Sequence, residues 1–305
     1  MDEGLYEQLR PRAFAIAYRM LGSVGEAEDV VQEGMLRLHR ARDAGEPIES
    51  PAAWLATVVT RLAIDELRSA RARRETYVGE WLPEPIVTDP ADDPAAEAEL
   101  ADSLSLAFLT LLESLTPEQR AAFLLREVFD YPYDQIAAIV GRSEDASRQL
   151  ASRARRRIDE RRPRVQGSRE HGEALARQFL GAVRDGDLES LERLLAADVE
   201  LHGDGGGKVP ALARAVHGRA RVARTLVAWS RAAARFGGVA IELTEINGGP
   251  GAVSRAPDGG VVNVIALELE GGSVRSINSI VNPDKLRHLG PVADLGDLLA
   301  GGPSG

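Results

Sequence analysis

Residues 141–158 read GRSEDASRQLASRARRRI, and this order of residues decides how the middle of the chain folds. Gly141-Arg142-Ser143 makes a turn, and Ser143 opens the next helix, which begins near Glu144. Just upstream, Tyr133–Val140 has the length and apolar content of a short helix. Short helix, glycine turn and arginine-rich helix form the layout of a helix-turn-helix. The second helix of that motif enters the major groove, and its first turns reach base edges. With Leu150, Ala154 and Ile158 inward, Arg148, Gln149, Ser152 and Arg153 point outward. Arginine bonds guanine bidentately and glutamine reads adenine, so these four are candidate base readers. Arg155, Arg156 and Arg157 suit phosphates.

Upstream, Thr116-Pro117-Glu118-Gln119 combines a capping hydroxyl, proline at the first helical position and a glutamine at the third, a strong helix start. The second helical block therefore spans about residues 97–163. Residues 1–76 form another. Leu5, Leu9, Phe14, Ala17, Tyr18 and Leu21 make an apolar stripe, Ser23–Glu26 is a capping box, and Ser50-Pro51 starts a long helix that ends in Arg68, Arg71, Arg73 and Arg74. Between the blocks, Pro83, Pro85, Pro90 and Pro94 forbid a continuous helix and make residues 77–96 a linker. No Lys or Arg occurs from Glu75 through Gln119, so the linker is acidic. By contrast, arginines crowd from Arg148 to Arg164, among them Arg161 and Arg162.

Beyond Gly167 the texture changes. Two helices (about 170–185 and 188–195), a strand at Val199–His202 and a helix at about 218–236 precede β-rich runs at 239–246, 251–256, 261–269 and 273–281. Gly and Pro signals such as Asn247-Gly248-Gly249-Pro250 separate these runs. Residues 168–290 thus read as a separate α+β domain, and 291–305 as a loose tail. The architecture is multidomain, two all-α blocks followed by an α+β unit.

Composition narrows the chemistry. The 305 residues include no cysteine, which excludes thiolate metal sites and cysteine nucleophiles. His39, His171, His202, His217 and His288 show no metal-ligand spacing, so neither metal nor cofactor is expected. A net charge of −10 argues against indiscriminate nucleic-acid binding, but the local arginine cluster keeps DNA in play. With no signal-like N-terminus and no long apolar run, the chain is expected to be cytoplasmic and to avoid membranes. Lysine occurs only at Lys208 and Lys285.

The motif Ala27-Glu28-Asp29-Val30-Val31-Gln32-Glu33, followed by Trp54-Leu55 and Ala63-Ile64-Asp65-Glu66-Leu67-Arg68, resembles the second conserved region of extracytoplasmic-function sigma factors. Leu115 to Ile158 resembles their fourth region. The resemblance implies core RNA polymerase and promoter DNA as partners. It puts Asp29, Gln32, Glu33 and Leu36 against the polymerase, and the Ile48–Trp54 loop and Arg61 near the unpaired −10 strand, with Arg68 as a further DNA contact. Arg148, Gln149, Ser152, Arg153, Arg155 and Arg156 would meet the −35 element. Ala146-Ser147 stands where many relatives carry Thr-Val, which leaves the base preference open.

Tyr77-Val78-Gly79-Glu80-Trp81-Leu82-Pro83-Glu84-Pro85 looks like the linker motif of sigma factors with a SnoaL-like extension. Asp204-Gly205-Gly206-Gly207-Lys208 and Asn282-Pro283-Asp284-Lys285-Leu286 resemble signatures of the same group, whose extra domain is a cone-shaped α+β fold. Trp81, Leu82, Pro83, Asp204, Lys208, Asn282, Pro283, Asp284 and Lys285 are thereby implied as regulatory contacts. The acids Asp89, Asp92 and Asp93 are expected to mimic nucleic acid in a basic polymerase channel. A cone of this kind has room for a small ligand, with His202, Asp204, Trp229 and Asn278 as candidate lining and no catalytic residue assigned. Two other readings stay open: a ligand-sensing helix-turn-helix regulator, and a SnoaL-like enzyme fused to a sigma module.

Overall fold

The computed structural model describes residues 3–88, 103–160, 169–235 and 238–294. Arg161, Arg162, Arg164, Asp89, Asp92, Asp93 and the tail from 295 onward lie outside these residues. The backbone divides into two compact units: residues 1–76 with 108–162, and residues 77–107 with 163–305. The two helical blocks therefore belong to one unit, and the linker belongs to the unit of the α+β domain.

The helical unit contains α1 (Glu3–Leu21), α2 (Val24–Asp43), α3 (Pro51–Glu75), α4 (Leu106–Leu112), α5 (Pro117–Glu127), α6 (Tyr133–Val140) and α7 (Glu144–Asp159). Each start has a local cause. Ser23 Oγ accepts the Glu26 amide at 3.2 Å, and the Thr116–Gln119 capping box forms in both directions. Ser143 caps α7 by accepting the Ala146 amide at 3.2 Å. Gly141 ends α6 at φ 70°, a left-handed position that needs no Cβ. Gly34 lets α2 lie close on α3, because a Cβ there would meet Val59 Cγ2 at 2.9 Å. The buried stripe of α7 is Ser147, Ala151, Ala154 and Ile158. Leu150, expected inside, is only half-buried, because the stripe runs at three- and four-residue steps from Ser147 and leaves Leu150 at its edge.

In the second unit, α8 (Arg169–Asp185), α9 (Leu188–Leu194) and α10 (Arg219–Arg235) pack on a seven-stranded sheet. Its strands are β1 (Val87–Thr88), β2 (Leu195–Asp204), β3 (Val216–His217), β4 (Ala240–Ile246), β5 (Gly249–Arg255), β6 (Val261–Glu270) and β7 (Ser273–Ile280), in the order β1-β4-β5-β6-β7-β2-β3. Pairing is antiparallel except between β2 and β7. Phe179, Leu191, Leu201, Leu226, Leu267 and Ile277 fill the core between helices and sheet. Asn247 and Gly248, at φ 55° and 73°, make the tight β4–β5 turn that their left-handed tolerance permits. The edge strand β1 comes from the linker, with Val87 opposite Ile246 and Thr88 opposite Glu245.

Candidate nucleic-acid interface and the seat of the linker

On α7, Arg148, Gln149, Ser152, Arg153, Arg155 and Arg156 are all exposed. Three- and four-residue steps bring them onto the face opposite the buried stripe. Two of the arginines have protein partners: Arg148 lies 3.3 Å from Glu144, and Arg155 lies 3.3 Å from Glu127 and 3.7 Å from Asp159. Among the described residues neither Arg153 nor Arg156 has an ion-pair partner, so their charge is open to an incoming phosphate or base.

On α2, Asp29, Gln32 and Leu36 are exposed and Glu33 is half-buried. They sit at steps of three and four residues and form one face. Leu36 is 40% exposed, an apolar side chain that water does not favour. Arg37 Nε donates to Glu33 at 2.7 Å.

Arg61 and Arg68 on α3 meet the second helical block. Arg61 Nη2 donates to the Ala138 carbonyl at 2.7 Å and its Nε to the Ile139 carbonyl at 3.2 Å. A guanidinium thus satisfies the unpaired carbonyls at the end of α6. Arg68 Nη2 donates to Glu118 at 2.6 Å. Burial would push the Glu118 carboxyl up, but the Arg68 hydrogen bond and charge hold it below the usual range. Deeper in the same seam, Arg120 is 1% exposed. It donates to the Arg19 carbonyl at 3.0 Å and to Glu113 at 2.5 Å. Arg74 also pairs with Glu113 and donates to the Leu21 carbonyl at 2.7 Å. Burial alone would raise the Glu113 carboxyl; the charges of Arg120 and Arg74 keep it low. Arg12 and Arg19 lie over the rings of Tyr131 and Phe129.

In the second unit Asp204 is fully buried and is the hub of the linker seat. Its carboxylate accepts from Tyr77 Oη at 2.5 Å, the Leu82 amide at 2.8 Å, the Gly206 amide at 3.1 Å and Lys285 Nζ at 2.7 Å. Lys285 also donates to the Leu82 carbonyl and lies 4.2 Å from the Trp81 ring and 5.2 Å from the Tyr77 ring. A buried ammonium is tolerable only with such anionic, carbonyl and π partners. Burial and the anionic Asp204 push the Tyr77 hydroxyl well above its ordinary value, so it remains a donor. Asn282 caps the turn Pro283–Lys285 and donates to Tyr77 Oη at 2.8 Å. Asp284 pairs with Lys208 and, at 2.8 Å, with Arg287. The glycine run is a steric requirement: a Cβ on Gly206 would meet Asn282 Nδ2 at 2.3 Å, and one on Gly207 would meet Val78 Cβ at 2.8 Å.

Further contacts along the linker were not read from sequence. His202 Nδ1 faces Glu80 at 2.9 Å and its Nε2 faces Glu200 at 3.2 Å. With a carboxylate at each nitrogen, both must donate, which requires the imidazolium. Burial would lower its pKa, but Glu80 and Glu200 raise it above the ordinary 6.5. His288 donates to the Pro85 carbonyl at 2.8 Å, and Asn247 exchanges hydrogen bonds with Ile86.

Comparison with known proteins decides the family. The family Sigma-70 region 2 matches residues 5–73, and Sigma-70, region 4 matches residues 105–158. The ECF RNA polymerase sigma factor SigJ of Mycobacterium tuberculosis (strain H37Rv) is 39% identical over 297 residues, covering 93% of each chain. The crystal structure of M. tuberculosis SigJ superposes with a TM-score of 0.76 at 37% identity, covering 93% of this chain and 98% of that one. This chain belongs to the extracytoplasmic-function sigma factors. A further relative, named "Probable ECF RNA polymerase sigma factor SigI" in M. tuberculosis (strain CDC 1551), is 35% identical over 274 residues. These relatives are named as sigma factors, not enzymes.

In this sigma factor the structure brings together Trp81, Leu82, Asp204, Asn282 and Lys285, with Lys208, Pro283 and Asp284 in the adjoining turn. Pro83 is buried in the same linker segment. Of the expected pocket lining, the structure brings together His202, Asp204 and Asn278 but not Trp229. His202, Asp204 and Asn278 alternate with the core residues Leu201 and Ile277 and so lie on the opposite sheet face, whereas Trp229 packs against the core. Asn278 instead donates to Glu268 at 3.2 Å. β2 runs as far as Asp204 and stops short of the glycine run, which is enough to put His202 and Asp204 on one sheet face. That alignment serves the linker. Among the described residues no helix is long and apolar enough to cross a membrane.

Proposed function

We propose that this sigma factor brings core RNA polymerase to defined promoters in the cytoplasm, reading the −35 element with α7 and the −10 element with α3. The observation that carries this reading is the outward row Arg148, Gln149, Ser152 and Arg153 on the capped second helix of a helix-turn-helix in a chain of this family. Arg155 and Arg156 supply phosphate contacts. Asp29, Gln32, Glu33 and Leu36 present a mixed acidic and apolar face to the polymerase.

Arg61 and Arg68 have a double use. In the free chain they hold the second helical block; on the promoter they meet the −10 strand. The two uses exclude each other. The elements are centred about 25 base pairs apart, roughly 85 Å of straight duplex at about 34 Å per ten base pairs. Arg61 lies 2.7 Å from the helix-turn-helix carbonyl Ala138 O. The seam must therefore open before both elements are read.

The α+β domain acts as a regulator of promoter engagement through the seated linker, with Trp81, Leu82, Pro83, Asp204, Lys208, Asn282, Pro283, Asp284 and Lys285 as its contacts. A catalytic role is disfavoured because the carboxylate of Asp204, one of the candidate lining residues, already faces four donors. The experiment is reconstitution of the purified chain with sigma-free core polymerase and mapping of transcript starts on defined templates. Discrete starts that Arg153→Ala suppresses are expected; absence of any chain-dependent start refutes the reading.

A further inference from the structure

The outward arginines of α7 are not equivalent. Arg148, near the start of the helix, has its guanidinium carbon 4.5 Å from the ring centre of Tyr133, the first residue of α6. The same ring takes the Arg126 guanidinium at 5.4 Å. Arg126 is itself held, donating to Asp130 at 3.0 Å and to the Tyr131 carbonyl at 3.3 Å. Tyr133 is half-buried, so the ring is anchored while one surface remains available to the cation. Arg148 has a competing attraction, the Glu144 carboxylate at 3.3 Å one helical turn back.

An exposed arginine carries roughly 2 kcal/mol of rotamer entropy, and bidentate readout of guanine demands one planar orientation. A flat π surface is the partner that fixes a guanidinium plane while leaving its N–H edge free. A carboxylate partner does the reverse, because it consumes that edge. We propose that Tyr133 is a positioning residue for −35 recognition, stacking Arg148 so that its donors face the groove instead of Glu144. The inference rests on the assignment of Arg148 as a base reader. It gives the first helix of the helix-turn-helix a part in sequence discrimination without a base contact of its own.

The test uses full-length chain in holoenzyme, with affinity measured on promoters carrying each single −35 substitution. Tyr133→Leu and Tyr133→Gln remove the ring, Tyr133→Phe keeps its π face, and Arg148→Ala removes the cation. Both ring-less variants are expected to flatten discrimination about two- to fivefold at the same base pair that Arg148→Ala affects, the size of an exposed cation–π contact. Tyr133→Phe is expected to retain the preference. In the Arg148→Ala background, loss of the ring should cost nothing further in discrimination. Uniform weakening on all sequences, equal cost with and without Arg148, or failure of Tyr133→Phe to preserve the pattern would overturn the inference while leaving Arg148 as a reader. If Arg148→Ala leaves −35 preference unchanged, the assignment of Arg148 and this inference fall together.

Discussion

Two polar seams hold this molecule's parts in place, and they are built differently. The seam between the helical blocks is made by arginines. Part of it is wet, since the side chains of Arg68 and Glu118 are 56% and 22% exposed. Its deeper part pairs Arg74 and Arg120 with one carboxylate, Glu113. The seat of the linker is made by a lysine and a histidine, and its central pair is dry, with Lys285 and Asp204 side chains 7% and 0% exposed. Exposed pairs contribute roughly 0–1 kcal/mol, whereas breaking one member of a buried pair costs about 3–5 kcal/mol. The difference teaches which junction can yield: the outer arginine contacts of the helical seam cost little to break, while the linker seat is built to persist.

The strongest way to break this contrast is to remove one member of the dry pair. Lys285→Met should destabilise the second unit by about 3–5 kcal/mol, because Asp204 is left buried with its ion partner gone. Denaturant unfolding measures it, and proteolysis within residues 77–85 should report release of the linker. Adding Asp204→Asn to that variant should cost less than the sum of the single losses.

Next in size is Glu113→Gln, expected to cost about 2 kcal/mol by leaving two guanidinium groups without their shared charge. The same residue sets a pH limit. Its folded pKa lies below the ordinary 4.5, so its stabilisation is complete above that value and fades as pH falls through the lower one. The helical seam should loosen in acid, and Glu113→Gln should remove that branch.

The linker seat should respond in the opposite direction. His202 is raised above 6.5, so its contribution is complete below that value and is lost as pH rises through the folded one. Once neutral, His202 can donate from only one nitrogen, while Glu80 of the linker, Glu200 of β2 and the partly buried Glu268 of β6 remain nearby. Arg275 offsets part of the burial of Glu268 while pairing with Glu270 and Asp198, and His217 of β3 shares Glu200 at 3.2 Å. The expected loss is about 1 kcal/mol, read as faster amide exchange over residues 78–82 at alkaline pH. His202→Gln should make that exchange insensitive to pH beyond its intrinsic base catalysis. The smallest effect belongs to Arg68→Ala, below about 1 kcal/mol on folding, yet it should impair opening of the −10 element in a permanganate footprint.

Much of this was legible beforehand because the signals are local. Ser23, Thr116, Ser143 and Gly141 act within a turn of themselves, and the helix and strand limits they imply agree with the structure to within a few residues. The α+β class followed from the order of helices and β-rich runs. The linker and the two lysine motifs could be singled out, but not their convergence on Asp204, since contacts across 81 to 127 residues leave no periodic trace. Glu113 and Arg120 look like ordinary surface charges in sequence. His202 looks like a pocket residue until the sheet face it occupies is known.

The central claim is that Arg61 and Arg68 serve the closed seam and the promoter in turn. The chain has no cysteine, so Ala52→Cys on α3 and Gln135→Cys on α6, both exposed positions, can carry spin labels for a distance measurement. A single short distance in the free chain, replaced by one several tens of ångströms longer in promoter-bound holoenzyme, is the predicted result. An unchanged distance in a complex that initiates transcription would contradict it.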